Sequence, residues 1–248
     1  MTVLVTLSAA SGAPGVSAWA LALAIALPGR RPRVLLEADL AGGVLAGRYG
    51  LGPEPGAASL LGSIRARPHI GPDLATHGRR LGSGSWCVPG PPVAATARRL
   101  WREGADTAAV SLAEDNALWL VDCGRAEPRA TLGPVFGRAI AHIVVSSASP
   151  VALIKARDHA RRLPGAARTG LLVVNPRLPD PDRLPRMGAH GAVWVVVRPP
   201  GLAALATRSL GSRRTRWSRS WRAVEQVAAA VGRWLLVPPP SPTGPVRT

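Results

Sequence analysis

The sequence predicts an α/β fold, a doubly wound and mostly parallel sheet with helices on both faces. Three observations lead there. Short apolar runs recur along the chain without polar alternation, as strands buried on both faces require. Helical stretches and Gly/Pro/Arg-rich segments separate those runs, and strand alternating with helix builds a parallel sheet. The first strand and first helix are joined by a turn of small residues, Ser8-Ala9-Ala10-Ser11-Gly12-Ala13-Pro14-Gly15.

Taken in order, the expected strands are Val3–Leu7, Val34–Glu37, Trp86–Pro89, Leu118–Asp122, His142–Ser146, Leu171–Asn175 and Val193–Val197. The expected helices are Val16–Ala26, Ala58–Arg65, Val93–Glu103, Ala130–Ile140, Pro150–Leu163 and Trp217–Leu235. The Gly/Pro/Ala-rich stretch 42–80 reads as a surface connection with one short helix, with a switch or interface region as the alternative, and its His69 and His77 as solvated loop histidines. Helix Pro150–Leu163 carries Lys155, Arg157, Arg161 and Arg162, a solvated basic face. In the last helix Trp217, Trp221, Val224, Ala228, Val231 and Leu235 recur at spacings of three and four, so one face is apolar. Such a stripe is buried on its own domain or, being basic and Trp-bearing, laid on an anionic membrane. The expected organisation is one domain over 1–237 and a Pro-rich, disordered tail over 238–248.

Composition narrows the function. The 248 residues carry a formal net charge of +17, and Lys155 is the one lysine. The excess of Arg over acidic residues points to an anionic partner, with a GC-rich coding bias as the alternative source of the Arg. Cys87 and Cys123 show no metal-ligand spacing and read as buried thiols in a reducing cytoplasm. The apolar run Val16–Leu27 is too short to span a bilayer, and the first charge is Arg30, so no basic segment of a signal peptide precedes it. The Gly-Ser pairs at 82–85 lack the G-x-S-x-G elbow of a serine nucleophile.

Right-handed crossovers place all parallel strand C-termini on one edge, where ligands bind in open α/β sheets. Asp39, Asp122 and Asn175 fall at that edge, together with the loop Gly12–Ser17. Backbone N–H groups of such a loop and of the helix start can hold an anion without a charged side chain. The alternative is a tight strand-to-helix turn that only small residues permit.

The loop resembles the deviant Walker-A loop of the MinD/ParA ATPases, K-G-G-x-G-K-[ST]. Ser11-Gly12-Ala13-Pro14-Gly15-Val16-Ser17 occupies that frame with both lysines absent, at Ser11 and Val16. Three later segments match in the family's order. Val34 to Gly43 is similar to the strand ending in D-x-D, with Glu37 for the first Asp and Asp39 for the second. Leu118 to Gly124 is similar to the Walker-B strand through Asp122, and Leu171 to Arg177 to the strand whose Asn contacts the base, here Asn175. The matches span residues 3 to 177.

The resemblance implies a P-loop NTPase-like fold and a cytoplasmic spatial organiser or partitioning factor. Gly12, Ala13, Gly15, Val16 and Ser17 would cradle ATP phosphates, and Asn175 the base. Ser17, Asp39 and Asp122 would hold Mg²⁺, with Asp39 also catalytic. The partners implied are a second copy of the chain, non-specific DNA and a protein cargo, with membrane less favoured. Loss of both lysines implies weak or absent ATP hydrolysis, because those cations neutralise the transferring phosphoryl group. A different class of function is a nucleotide-independent nucleic-acid-binding protein working through the Arg-rich surface, although no helix-turn-helix, zinc or RNP motif is present. A small-molecule kinase or synthetase ranks lowest, since it needs the missing lysine most.

Overall fold

In the computed structural model the described residues are 3–12, 15–67, 71–82, 84–125, 127, 129–164, 168–175, 191–197 and 219–236. Each expected strand forms within a residue or three of its expected ends. β1 is Val3–Ser8, β2 Arg33–Glu37, β4 Ser85–Val88, β5 Leu118–Asp122, β6 Ala141–Ser147, β7 Arg168–Asn175 and β8 Ala192–Val197. A further strand, β3 at Arg79–Gly82, runs antiparallel to β4 and ends the sheet on that side. Its sequence, Arg-Arg-Leu-Gly, has no apolar run to announce it; only Leu81 is buried in the core. The sheet order is β3-β4-β2-β5-β1-β6-β7-β8, and every pairing except β3–β4 is parallel.

The helices show where local sequence misleads. α1 (Val16–Ala26) and α7 (Pro150–Arg162) form where expected, and α3 (Ala57–Ala66) nearly so. The helix expected to stop at Glu103 continues as α5, Ala94–Glu114. Gly104 suggests a stop, yet it is a packing position: a Cβ there would lie 2.7 Å from Leu61 Cδ2 of α3. α6 covers only Gly133–Arg138, because Pro134 belongs in the first turn of a helix, where no N–H is needed. The 42–80 stretch is more ordered than its composition suggests. It holds α2 (Leu45–Tyr49), α3 and α4 (Leu74–His77), and buries Leu45, Leu60, Leu61 and Ile64. His77 is buried too, its Nδ1 3.2 Å from Ser59 Oγ, and is not the solvated loop residue expected; His69 lies outside the described residues.

Two layers of helix cover the sheet. On one face α1 packs with α8 (Arg219–Leu236), where Trp221, Val224, Val227, Ala228 and Val231 join Trp19 and Leu23 in one core. The apolar stripe of the last helix is therefore buried against its own domain, and Arg222, Glu225, Gln226 and Arg233 face out. Trp217 and the segment 238–248 lie outside the described residues. On the other face α3, α5 and α6 cover Trp101, Trp119 and Phe136, and α7 lies over β6 and β7. Lys155, Arg157, Arg161 and Arg162 are exposed on α7, and both cysteines are buried free thiols. No helix among the described residues is long and apolar enough to cross a membrane.

Burying a large aliphatic or aromatic side chain contributes about 1.5–3 kcal/mol, so losing the α8 stripe removes most of a typical domain's net stability. A chain ending at Arg216 should lose its cooperative thermal transition in calorimetry. A truncated chain that keeps a sharp transition contradicts this role for α8.

Candidate functional site

The exits of β1, β2 and β5 stand level. Leu7 pairs with Asp122, and Asp122 with Glu37. Backbone bonds continue past the strand ends: Ala38 N–H donates to Asp122 O, Cys123 N–H to Leu7 O and Ala9 N–H to Gly124 O. Three loops therefore leave the sheet side by side. Extending the row from Leu7 across β6 reaches Ile143, then Gly170 on β7. Asn175 lies five residues beyond Gly170, roughly 16 Å farther along the strand at about 3.3 Å per residue. It shares the edge but does not stand level with Asp122.

The loop after β1 turns on two glycines in the left-handed region, Gly12 at φ 70° and Gly15 at φ 86°. Gly15 caps α1, and no side chain caps that end or places a negative charge in its first turn. The first-turn N–H groups of a helix carry the positive end of its dipole and are unmet by its own carbonyls. Here they have no side-chain competitor for an anion. Val16 is buried in the α1–α8 core. Ser11 and Ser17 are partly exposed; Ala13 lies outside the described residues, as does the side chain of Asn175.

The acidic residues divide by role. Glu37 is fully buried; its Oε1 accepts from Val44 N–H (2.6 Å) and Leu45 N–H (3.0 Å), its Oε2 from Gly90 N–H (2.9 Å). It ties the start of α2 and the loop before α5 to the end of β2. Close packing demands glycine around it: a Cβ at Gly43 would sit 2.6 Å from Glu37 Oε2. Burial raises its pKa despite these three donors. Asp39 is half-buried and its Oδ1 accepts from Ala41 N–H at 2.8 Å. Its carboxyl lies on Gly124, where a Cβ would come within 2.2 Å of Asp39 Cγ. Gly124, at φ 56°, is thus the unpredicted residue that lets the second and fifth strand exits close on each other.

Asp122 is fully buried. Oδ1 accepts from Gly124 N–H at 3.0 Å, and Oδ2 has no hydrogen-bond partner among the described residues. Burial pushes its pKa up to about 7; the Ser17 hydroxyl and Gly124 N–H favour the charged form, and Glu37 and Asp39 oppose it. The ion pairs among the described residues, Arg65–Glu103, Arg99–Glu103 and Asp158–Arg161, all lie elsewhere. Arg48 and Arg125 are exposed, and the buried Arg33 donates to Leu27 O at the far end of α1.

Two buried pairs lie on the α7 side of β1. Ser8 Oγ and His159 Nε2 share a 2.8 Å hydrogen bond, and Thr6 Oγ1 and His142 Nδ1 one of 2.7 Å. Burial lowers the pKa of both histidines, His142 to about 4, so both are neutral spacers near pH 7. Each pair joins residues more than a hundred positions apart, and no local signal announces them.

No protein-family model matches the chain, and no curated protein matches it. Solved structures do. A ParA family ATPase from Chlorobium tepidum is 14% identical over 92% of this chain and 98% of its own, with a TM-score of 0.71. A Cyanothece McdA variant in complex with ATP is 13% identical over 93% and 96%, at 0.67. The septum site-determining protein MinD of Pyrococcus horikoshii, complexed with Mg-ADP, is 14% identical over 93% and 96%, at 0.63. The chain has the ParA/MinD ATPase fold. The loop, Ser17, Asp39 and Asp122 all fall at the strand exits just described, the edge to which the alternation of strand and helix assigned them.

The residues fit a magnesium–nucleotide group in two respects. The uncapped N-terminus of α1 could receive phosphate, and the unpartnered Asp122 Oδ2 could receive a cation. Among the described residues no three His, Cys, Asp or Glu side chains stand close enough to hold a metal by themselves. That suits Mg²⁺, which takes one or two carboxylates and fills its shell with water and substrate phosphate.

A carboxyl whose folded pKa is raised stabilises the fold while protonated, and that contribution is lost as pH rises from its unfolded value, about 3.9, through about 7. For Asp122 the loss is on the order of 4 kcal/mol. Asp122→Asn should therefore be more stable than the parent at pH 8 and close to it at pH 4, measured by urea unfolding without metal. A variant no more stable at pH 8 contradicts the burial of an unpaired carboxylate.

Proposed function

We propose that this chain is a nucleotide-binding spatial organiser of the ParA/MinD kind that hydrolyses ATP very slowly or not at all. One observation carries the reading. The start of α1 is uncapped and Ser17 acts on the buried Asp122, while both lysine positions are uncharged and Val16 is core. In this reading the Gly12–Ser17 backbone, with Ala13 and Val16, receives the phosphates. Ser17, Asp39 and Asp122 hold Mg²⁺, and Asn175 contacts the base. Bound Mg²⁺ supplies positive charge to the phosphate oxygens. Asp39, packed on Gly124, orients water at the open side of the cleft. Ser11 and Val16 supply no positive charge to the transition state, so binding outlives chemistry.

The solved relatives with ATP and with Mg-ADP support nucleotide as the ligand class. A nucleotide-switched homodimer and a protein cargo follow from the same likeness. The site of action is the cytoplasm, and the anchoring surface is non-specific DNA, supported by the +17 charge and the exposed basic face of α7. Membrane anchoring by the last helix is disfavoured, because its apolar stripe is already buried.

The test is a titration of the full chain with labelled ATP in Mg²⁺, followed by turnover and DNA retention. Expected are saturable ATP binding, turnover well below about 1 per second, and DNA binding that falls steeply with salt as counterions are released. Turnover at or above that rate, lost in Asp39→Ala, would overturn the degenerate-site reading. Salt-sensitive DNA binding with no ATP binding would favour the nucleotide-independent alternative.

A further inference from the structure

Resting on the nucleotide-binding reading, we infer that His159 of α7 positions the loop after β1 through Ser8, and that acid releases this hold. Ser8 is the last residue of β1, and the chain passes from it straight into the loop. The sheet fixes its backbone, which is in register with Val144 of β6. Its side chain is held from outside the sheet, by the 2.8 Å hydrogen bond to His159 Nε2. Apolar packing is non-directional, whereas a hydrogen bond sets an angle. The bond therefore fixes the direction in which the chain leaves the strand.

A second pair supports the first from two residues back. His142 Nε2 lies 3.3 Å from Pro164 O, which only accepts, so that nitrogen carries the proton and Nδ1 accepts from the Thr6 hydroxyl. Pro164 directly follows Leu163, the C-cap of α7. β1 is thus tied to the last turn of α7 by Ser8 and to the chain beyond that helix by Thr6. All four side chains are buried, where a polar group that loses its partner is costly.

The clasp is built for neutral imidazoles. Burial holds both uncharged near pH 7. Arg162 of α7 opposes a charge on His159, and the acid that favours one, Glu127 of the loop after β5, is exposed. His159 in turn opposes a charge on His142 of β6. β1 carries no charged residue. Asp158 of α7 pairs with Arg161, Arg138 of α6 is exposed, and Arg168 of β7 donates to the carbonyls of Trp234 and Leu235. Opening the contact to water returns an imidazole to its ordinary pKa, about 6.5. Opening therefore grows easier as pH falls below that value, by up to about 10-fold for each histidine at pH 5.5.

The experiment follows amide hydrogen exchange of the full chain at pH 7.5 and 5.5, read as protection factors. A fluorescent, non-hydrolysable ATP analogue is titrated in Mg²⁺ at the same two pH values. At pH 7.5, His159→Leu and Ser8→Ala should each lose protection over residues 8–12 and bind the analogue about 5-fold more weakly, the worth of one hydrogen bond. Protection of α5 should not change. His159→Gln, whose amide can still bond Ser8 but does not titrate, should match the parent at pH 7.5. At pH 5.5 the parent should lose protection over 8–12 and analogue affinity that His159→Gln keeps. Comparing these two chains cancels the titration of Asp122 and of the analogue. Identical pH profiles in parent and His159→Gln, or protection over 8–12 unchanged in both His159→Leu and Ser8→Ala, overturn the inference and leave the nucleotide reading standing. The expected exchange changes with no analogue binding at either pH support the hold on the loop and overturn the nucleotide reading.

Discussion

A carboxylate at the end of a central strand, buried with one oxygen unpartnered, is the constraint around which this edge of the molecule is arranged. Burying such a group costs several kcal/mol unless something meets it. The surrounding structure holds it in place and leaves Oδ2 without a partner among the described residues. Ala38 and Cys123 lock the adjoining strand exits to β5 and β1, Gly124 donates to one oxygen, and Ser17 faces it from the first turn of α1. Glu37 stiffens the frame from the side, since its three backbone donors fix the loops that follow β2 and β4. A frame this determined around an unpartnered carboxyl oxygen suits the cationic ligand of the proposed reading.

The chemistry of the frame then follows from what it lacks. Lysines in the loop would have balanced the acidic edge from inside the protein. With Val16 in the α1–α8 core, a bound metal would supply that balance in the proposed reading. In the proposed reading the loop also supplies no side-chain cation to stabilise a transferring phosphoryl group.

Much of this architecture is legible in the amino-acid sequence. Strands such as Val34–Glu37 and Leu118–Asp122 are apolar on both faces, which only a covered parallel sheet explains, and their acidic ends mark the ligand edge. The α8 stripe is legible for the same reason of period. Other features depend on contacts between distant segments. Gly104 looks like a helix stop but accommodates Leu61, and Gly124 looks like an ordinary turn but accommodates Asp39. His77 looks solvated but is covered by the helices of a stretch whose Gly and Pro content hides its core. Glu37 is recognisable as the first acidic position at the end of its strand; that it clamps two loops emerges only when Val44, Leu45 and Gly90 are brought to it.

The central claim is that Asp122 and Ser17, not a lysine, carry the charge balance of bound nucleotide through a metal. A crystal of the full chain grown with an ATP analogue and Mn²⁺, measured at the manganese absorption edge, tests it most directly. The account predicts one anomalous peak beside Asp122 Oδ2 and Ser17 Oγ, with phosphates on the N–H groups of the loop and of α1. Phosphates ordered in the loop with no manganese peak, or with an arginine guanidinium in its place, would contradict it.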